Sequence, residues 1–201
     1  MVSKEIAKIA QPAASQIADV ILDFISKIPS SAEQASNTPK DIAREKANKA
    51  AAYAALASGT LSLPPGPLGW LTILPDLLAV WKIQSQMVAD IAAIYGKTAS
   101  LSKEQMLYCL FRHLTAQAFR DLTVRVGERV LVKPASLKVM QSIAEKVGVK
   151  ISQRALGKGL SRWIPVIGAV GVGAYAYYDT AQVAATAIEL FESDTLIPIE
   201  Q

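Results

Sequence analysis

The sequence predicts an all-α fold: a compact multi-helix bundle with two apolar, Gly/Pro-interrupted helical segments packed centrally. Three observations predict it. Apolar residues recur at three- and four-residue spacing through most of the chain, the period of a helix face. Residues that start and stop helices bracket those stretches, among them Thr38-Pro39, Ser102 and Gly96. No stretch shows a convincing strand alternation, and no repeat of fixed period is present.

Taken in order, Ile6, Ile9, Ala13, Ile17, Val20, Ile21, Phe24 and Ile28 mark an amphipathic helix, with a kink or late start expected at Pro12. Residues 30–37 form a polar linker, so residues 1–37 are expected as an N-terminal helix and linker, and 38–201 as the main helical domain. Thr38 then serves as N-cap, Pro39 occupies the first helical position, and Asp41 sits in the first turn. The alanine-rich helix that follows ends at Ser58-Gly59. Pro64, Pro65, Gly66 and Pro67 enforce a turn-like stretch; residues 68–74 make about two turns, and Pro75 begins a new helix at Asp76 that stops at Gly96.

Along that helix Ala79, Lys82, Gln86, Asp90 and Ala93 form a narrow polar stripe, and Leu77, Val80, Trp81, Ile83, Met87, Ile91 and Ile94 cover the rest, which demands burial on most sides. Ser102 and Gln105 spell a capping box, and apolar residues at 107, 110, 111, 114, 118, 122 and 126 extend a helix to Val126. A further helix over residues 137–147 is closed by Gly148; a short one over 151–156 precedes Gly157-Lys158-Gly159. The last apolar run, residues 163–178, continues into AQVAATAIELF.

Composition narrows the function classes. The 201 residues are 51% hydrophobic and 19% charged, with a formal net charge of +4. Mean hydropathy is +0.27 and the isoelectric point about 9.1. Seventeen acids against twenty-one bases make no nucleic-acid polycation, and no nucleic-acid partner is expected; a mild positive balance suits an anionic membrane surface. The single Cys109 excludes an intrachain disulfide framework and fits a reducing compartment. The first residues lack the continuous apolar core of a secretory signal, so a cytoplasmic location is expected, with any membrane contact at its inner face.

Neither apolar run reads as a simple membrane span. Crossing takes about twenty apolar residues. Prolines break residues 63–74 and Asp76 follows, whereas residues 163–178 are short and bracketed by Arg162 and Asp179. Buried core helices, or segments lying at a membrane surface, remain. Trp70, Trp81, Trp163, Tyr175 and Tyr178 flank these runs as candidates for membrane or ligand contact, because amphipathic rings favour both interfaces and cores.

Chemistry finds little support. GAVGVG, residues 168–173, has its glycines in the wrong order for a dinucleotide loop, and Gly157-Lys158-Gly159 lacks the rest of a phosphate cradle. Cys109 and His113 share a helix face, but His113 is the chain's one histidine, so no metal site and no cofactor are expected. Asp76, Asp90, His113, Arg120 and Asp179 are the candidate buried polar residues. Lys82, Arg112, Arg120 and Arg162 are the expected ion-pair partners of the aspartates, and Asp76 is also a first-turn acid beside Pro75.

Two stretches resemble the EcsC-type family of bacterial helical proteins. One is LPPGPLGWLTILPDLLAVWKIQSQMVADIAAIYG, with Asp76, Gln86-Met87, Ile91-Ala92 and Tyr95-Gly96; the other is IPVIGAVGVGAYAYYDTAQVAATAIELF, with Pro165, Gly168, Asp179-Thr180, Val183 and Ala187. Where Asp179 stands, family members often carry asparagine. The resemblance implies a cytoplasmic face, association with membrane or transport systems, and no established chemistry. The expectation is a non-enzymatic helical protein that associates peripherally with a membrane or membrane-protein partner. Its alternatives are a module binding a small apolar ligand such as a lipid acyl chain, and an enzyme using Asp76 or Asp179 with His113. The oligomeric state is not legible.

Overall fold

A computed structural model describes residues 2–60, 69–127, 129–158 and 165–194, with side chains described over 14–58, 74–127, 129–153 and 171–193. Among the described residues the fold is all-α apart from one hairpin. The helices are α1 (Val2–Ser26), α2 (Pro39–Thr60), α3 (Gly69–Ile94), α4 (Lys103–Phe111), α5 (Leu137–Lys158) and α6 (Pro165–Asp194). Short 3-10 turns occupy Thr98–Ser100 and Ala116–Phe119, and strands β1 (Thr123–Val126) and β2 (Arg129–Val132) form the hairpin.

The caps read from the sequence are in place. Ile42 N–H donates to the Thr38 carbonyl as α2 begins. The Ser102 and Gln105 side chains exchange bonds with each other's backbone at 3.0 and 3.2 Å, which satisfies two orphan donors at the start of α4. Gly96 takes a left-handed φ of 71° where α3 ends.

Three elements differ from the expectation. Helix α3 runs through Pro75 rather than starting there; a proline one or two turns into a helix removes a single bond, and packing of Leu74, Leu77 and Leu78 on the core outweighs it. Helix α5 continues through Gly148, because that glycine serves a close approach and not a cap. A Cβ there would stand 2.4 Å from the Ala14 carbonyl oxygen, so α1 and α5 touch backbone to backbone. The helix expected to reach Val126 ends at Phe111. The alternating TVRV and RVLV instead pair antiparallel, Thr123 opposite Val132 and Val126 opposite Arg129, around Gly127 at φ 63°.

Helix directions follow from end contacts. Lys40 Nζ lies 2.8 Å from Glu192 Oε1, and an added Cβ on Gly173 would meet the Ala55 carbonyl oxygen at 3.1 Å, so α2 and α6 are antiparallel. Ser36 N–H donates to the Ile94 carbonyl at 3.0 Å, which sets α2 antiparallel to α3 as well. Helices α3 and α6, each antiparallel to α2, therefore run parallel to each other, and Gln84 of α3 meets Asp179 and Thr180 of α6. The C-terminal end of α2 and the N-terminal ends of α3 and α6 thus lie at one end of the bundle.

One core joins all six helices. Ile17, Ile21 and Ile25 of α1 sit with Ile91 of α3, Leu107 and Phe111 of α4, Ile143 and Val147 of α5, and Val183, Leu190 and Phe191 of α6. Trp81 stands in it, 5.9 Å from the Phe24 ring and edge-on to Phe111 at 5.2 Å. Central packing of both apolar segments needs correction for the second. Over residues 171–178 only Gly173 and Ala176 are buried, and the core part of α6 begins at Thr180. Glycine and alanine there let α2 approach closely while the larger side chains point away.

Candidate functional site

Gln84 on α3, His113 just beyond α4, and Asp179 with Thr180 on α6 meet where the three elements cross. Three apolar surfaces there leave a few polar groups to satisfy one another. His113 Nε2 lies 2.8 Å from Asp179 Oδ1, with the two side chains only 12% and 16% exposed. The Gln84 amide, 1% exposed, donates to Asp179 Oδ2 at 2.9 Å and to Thr180 Oγ1 at 3.1 Å. Tyr175, one turn earlier on α6, also donates to the carboxylate.

Burial pushes the Asp179 carboxyl up, but the bonds from His113, Gln84 and Tyr175 together outweigh it and hold the group below the usual carboxylate range. Asp179 is therefore an anion bound by donors. With Nε2 facing the carboxylate, Nδ1 of His113 is buried and without a hydrogen-bond partner. Such an imidazole is locked by its aspartate and offers no accessible nitrogen to a reactant. Cys109 is fully buried, and burial pushes its thiol far up, so it stays protonated and not nucleophilic. Among the described residues no group of three His, Cys, Asp or Glu side chains is arranged to hold a metal ion.

The structure brings His113 and Asp179 together. Of the cations expected to pair with the aspartates, Lys82, Arg112 and Arg120 form no ion pair with Asp76, Asp90 or Asp179 among the described residues, and Arg162 lies outside them. Arg112 instead bonds Glu189 Oε2 at 2.6 Å and lies over the Tyr108 ring at 5.3 Å. Asp90 accepts from the Ser31 hydroxyl at 2.7 Å and the Gln86 amide at 2.9 Å, and so pins the linker before α2 onto α3. Asp76 lies inside α3 rather than in its first turn, half-buried, and burial raises its carboxyl. Arg120, expected buried, is exposed. Gln84 escaped the sequence reading, and Thr180 entered it only as part of the family resemblance; an amide off the polar stripe that carries Gln86, in an otherwise apolar helix, was the available signal.

Beside this lock lies an apolar face. Tyr53 and Leu56 of α2 are 65% and 69% exposed, and Val172, Tyr175, Tyr177 and Tyr178 are exposed on the part of α6 where Gly173 approaches Ala55 of α2. The remaining exposed large apolar side chains among the described residues, Val126 and Leu137, lie elsewhere. Of the rings flanking the apolar runs, Tyr175 and Tyr178 belong to this face. Trp81 does not: it is 4% exposed and a core residue. The side chains of Trp70 and Trp163 lie outside the described residues.

The stretch Leu74–Ile94 is long and apolar enough to cross a membrane by length and composition, yet just over half of it is buried inside the protein. It is the core helix of this bundle.

A model of the EcsC protein family matches residues 4–193. No curated protein and no solved structure matches the chain.

Proposed function

The chain belongs to the EcsC protein family, and from that premise we propose that it associates peripherally, without catalysing a reaction, with a membrane surface at the cytoplasmic side. The observation that carries this reading is one end of the bundle. Residues 50–75 and 163–178 contain no charged side chain, and the described parts of both stretches converge there. Tyr53, Leu56, Val172, Tyr175, Tyr177 and Tyr178 are exposed on that side. Tyrosines beside small aliphatic residues suit the headgroup layer, where one edge of the ring is dry and the other wet. Exposed apolar patches of this kind mark interaction surfaces. The His113–Asp179–Gln84 lock fits a structural role, fixing α3 and α6 one beside the other so that their ends stay together.

Vesicle flotation tests the proposal. The full chain is expected to rise with liposomes of mixed anionic and neutral lipid. The variant Tyr53→Gln/Leu56→Gln/Tyr178→Gln is expected to stay behind while keeping its urea midpoint. Absence of flotation by the wild-type chain would remove direct lipid binding.

A second reading has one observation in its favour. A groove of about 730 Å³ runs between α1 and α3, floored by Val20, Phe24 and Leu78 and rimmed by Asp19, Lys27 and Lys82. Its size suits a single apolar chain with a polar end. Native mass spectrometry of gently purified protein distinguishes this reading: a bound lipid supports it, and an unloaded protein that takes up no added fatty acid refutes it.

A further inference from the structure

On a different side of the molecule, α4, the second 3-10 turn and the hairpin frame an open cavity of about 290 Å³ lined by Tyr108, Arg112, Phe119, Arg120, Arg125 and Val130, together with Ala116 and Thr123. Three guanidinium groups share it, and no carboxylate is among the described residues that line it. The local structure explains the convergence. Thr123 and Arg125 alternate along β1 and so face the same side, while Arg120 closes the turn that leads into the strand. Val130, opposite Arg125, is buried and fixes the hairpin against the core. Arg112 reaches in from the end of α4, steadied by Glu189 and by the Tyr108 ring.

Arg120 and Arg125 are exposed and form no ion pair with any described carboxylate. Burial pushes the Tyr108 phenol up to about 12, so its hydroxyl stays protonated. The Thr123 hydroxyl already donates to the Phe119 carbonyl at 3.1 Å and is spent as a donor. What remains is a concave site whose free donors are guanidinium forks. Arg112 already holds Glu189, whereas Arg120 and Arg125 have no counter-ion among the described carboxylates, and the planar fork of each matches the oxygens of a phosphate group.

We infer that this cavity is a binding site for a phosphate group, carried either by a small soluble phosphate compound or by the headgroup of an anionic lipid. It does not depend on the apolar end of the bundle. Tyr178 and Glu189 are separated by about 16 Å of helix rise, at about 1.5 Å per residue, so the two surfaces can be altered separately.

The test uses the full chain, inorganic phosphate as the soluble probe, and vesicles of phosphatidylcholine with or without phosphatidylglycerol. Arg120→Gln/Arg125→Gln is compared with Lys146→Gln/Lys150→Gln, which removes the same charge from exposed positions on α5. Urea midpoints confirm that both variants fold. Calorimetry at fixed ionic strength is expected to show saturable phosphate binding, weakened about tenfold or more in the arginine variant and unchanged in the lysine variant. If phosphate alone binds weakly but the gain in vesicle binding from phosphatidylglycerol disappears only in the arginine variant, the source is a headgroup and the site stands. Equal behaviour of the two variants in both arms, or no saturable binding in either, overturns the inference.

Discussion

Replacing Gly148 by alanine is expected to loosen the contact between α1 and α5. The new Cβ would stand 2.4 Å from the Ala14 carbonyl oxygen and 3.2 Å from the Ala14 Cα. A close carbon–oxygen contact needs about 3.3 Å, and both groups belong to backbone, so no rotamer change relieves the clash. The helices must separate by about 1 Å, and a gap of that size already forfeits a quarter to a half of the dispersion well for the atoms along it. Ile17, Ile21, Ile143 and Val147, all buried near this seam, lose part of their packing. Overpacking of this kind costs about 1–3 kcal/mol, here toward the upper end. Alanine recovers about 1 kcal/mol as the better helix former, which leaves a net loss of about 2 kcal/mol.

Urea unfolding followed by circular dichroism reads the effect, with a midpoint lower by about 1 M for a slope of about 2 kcal/mol/M. Gly171→Ala is the internal control. Nothing lies within 4 Å of its added Cβ, and the site faces solvent on α6. There the same substitution is expected to stabilise by up to about 1 kcal/mol. If Gly148→Ala proves as stable as the wild-type chain, or both variants shift alike, the reasoning from close approach fails.

Further outcomes follow from the buried lock and the thiol. Asp179→Ala leaves donors on His113, Gln84 and Tyr175 without their acceptor and is expected to cost about 2–4 kcal/mol in urea unfolding, whereas Asp179→Asn, which keeps an acceptor, should cost about half as much. Because the folded-state pKa of Asp179 is held below its unfolded value of about 3.9, its ionisation stabilises the fold fully above that pH, and the benefit fades as pH falls below it. The wild-type chain should therefore lose more stability than Asp179→Asn between about pH 4 and pH 2; parallel pH profiles would refute this. Cys109, buried and protonated, should react with a thiol reagent only as fast as the protein unfolds, so rapid labelling under native conditions would contradict its placement.

Much of the helix grammar was legible because it is local. Pro39 with Asp41, the Ser102–Gln105 box and the left-handed Gly96 are each decided within a few residues, and each stands where the sequence put it. The hairpin was hidden because Leu114, Ala118, Leu122 and Val126 also fit a helical period, and two four-residue strands carry too little alternation to compete. Gly148 illustrates the same limit: a glycine after an apolar run reads as a stop, and only the neighbouring backbone of α1 reveals a packing need.

The polar lock was half legible. His113 was marked as the one histidine, on a helix face with Cys109, and Asp179 by its apolar surroundings, but 66 residues separate them, and nothing local couples them or adds Gln84. Trp81 and Tyr178 show why aromatic residues could not be sorted in advance. Both flank apolar runs; Phe24 and Phe111 enclose the first, and the second is left bare because only Gly173 and Ala176 turn toward the core.

Docking through the converged ends of α2, α3 and α6 is tested most directly by an environment-sensitive dye on single cysteines introduced at Leu56 or Tyr178, in a chain whose buried Cys109 is first replaced by alanine. Added anionic vesicles should shift the emission of both probes to the blue and raise their intensity. A probe at Asn37, exposed at the opposite end of α2, should not respond. Silence at positions 56 and 178, or an equal response at 37, would contradict the account.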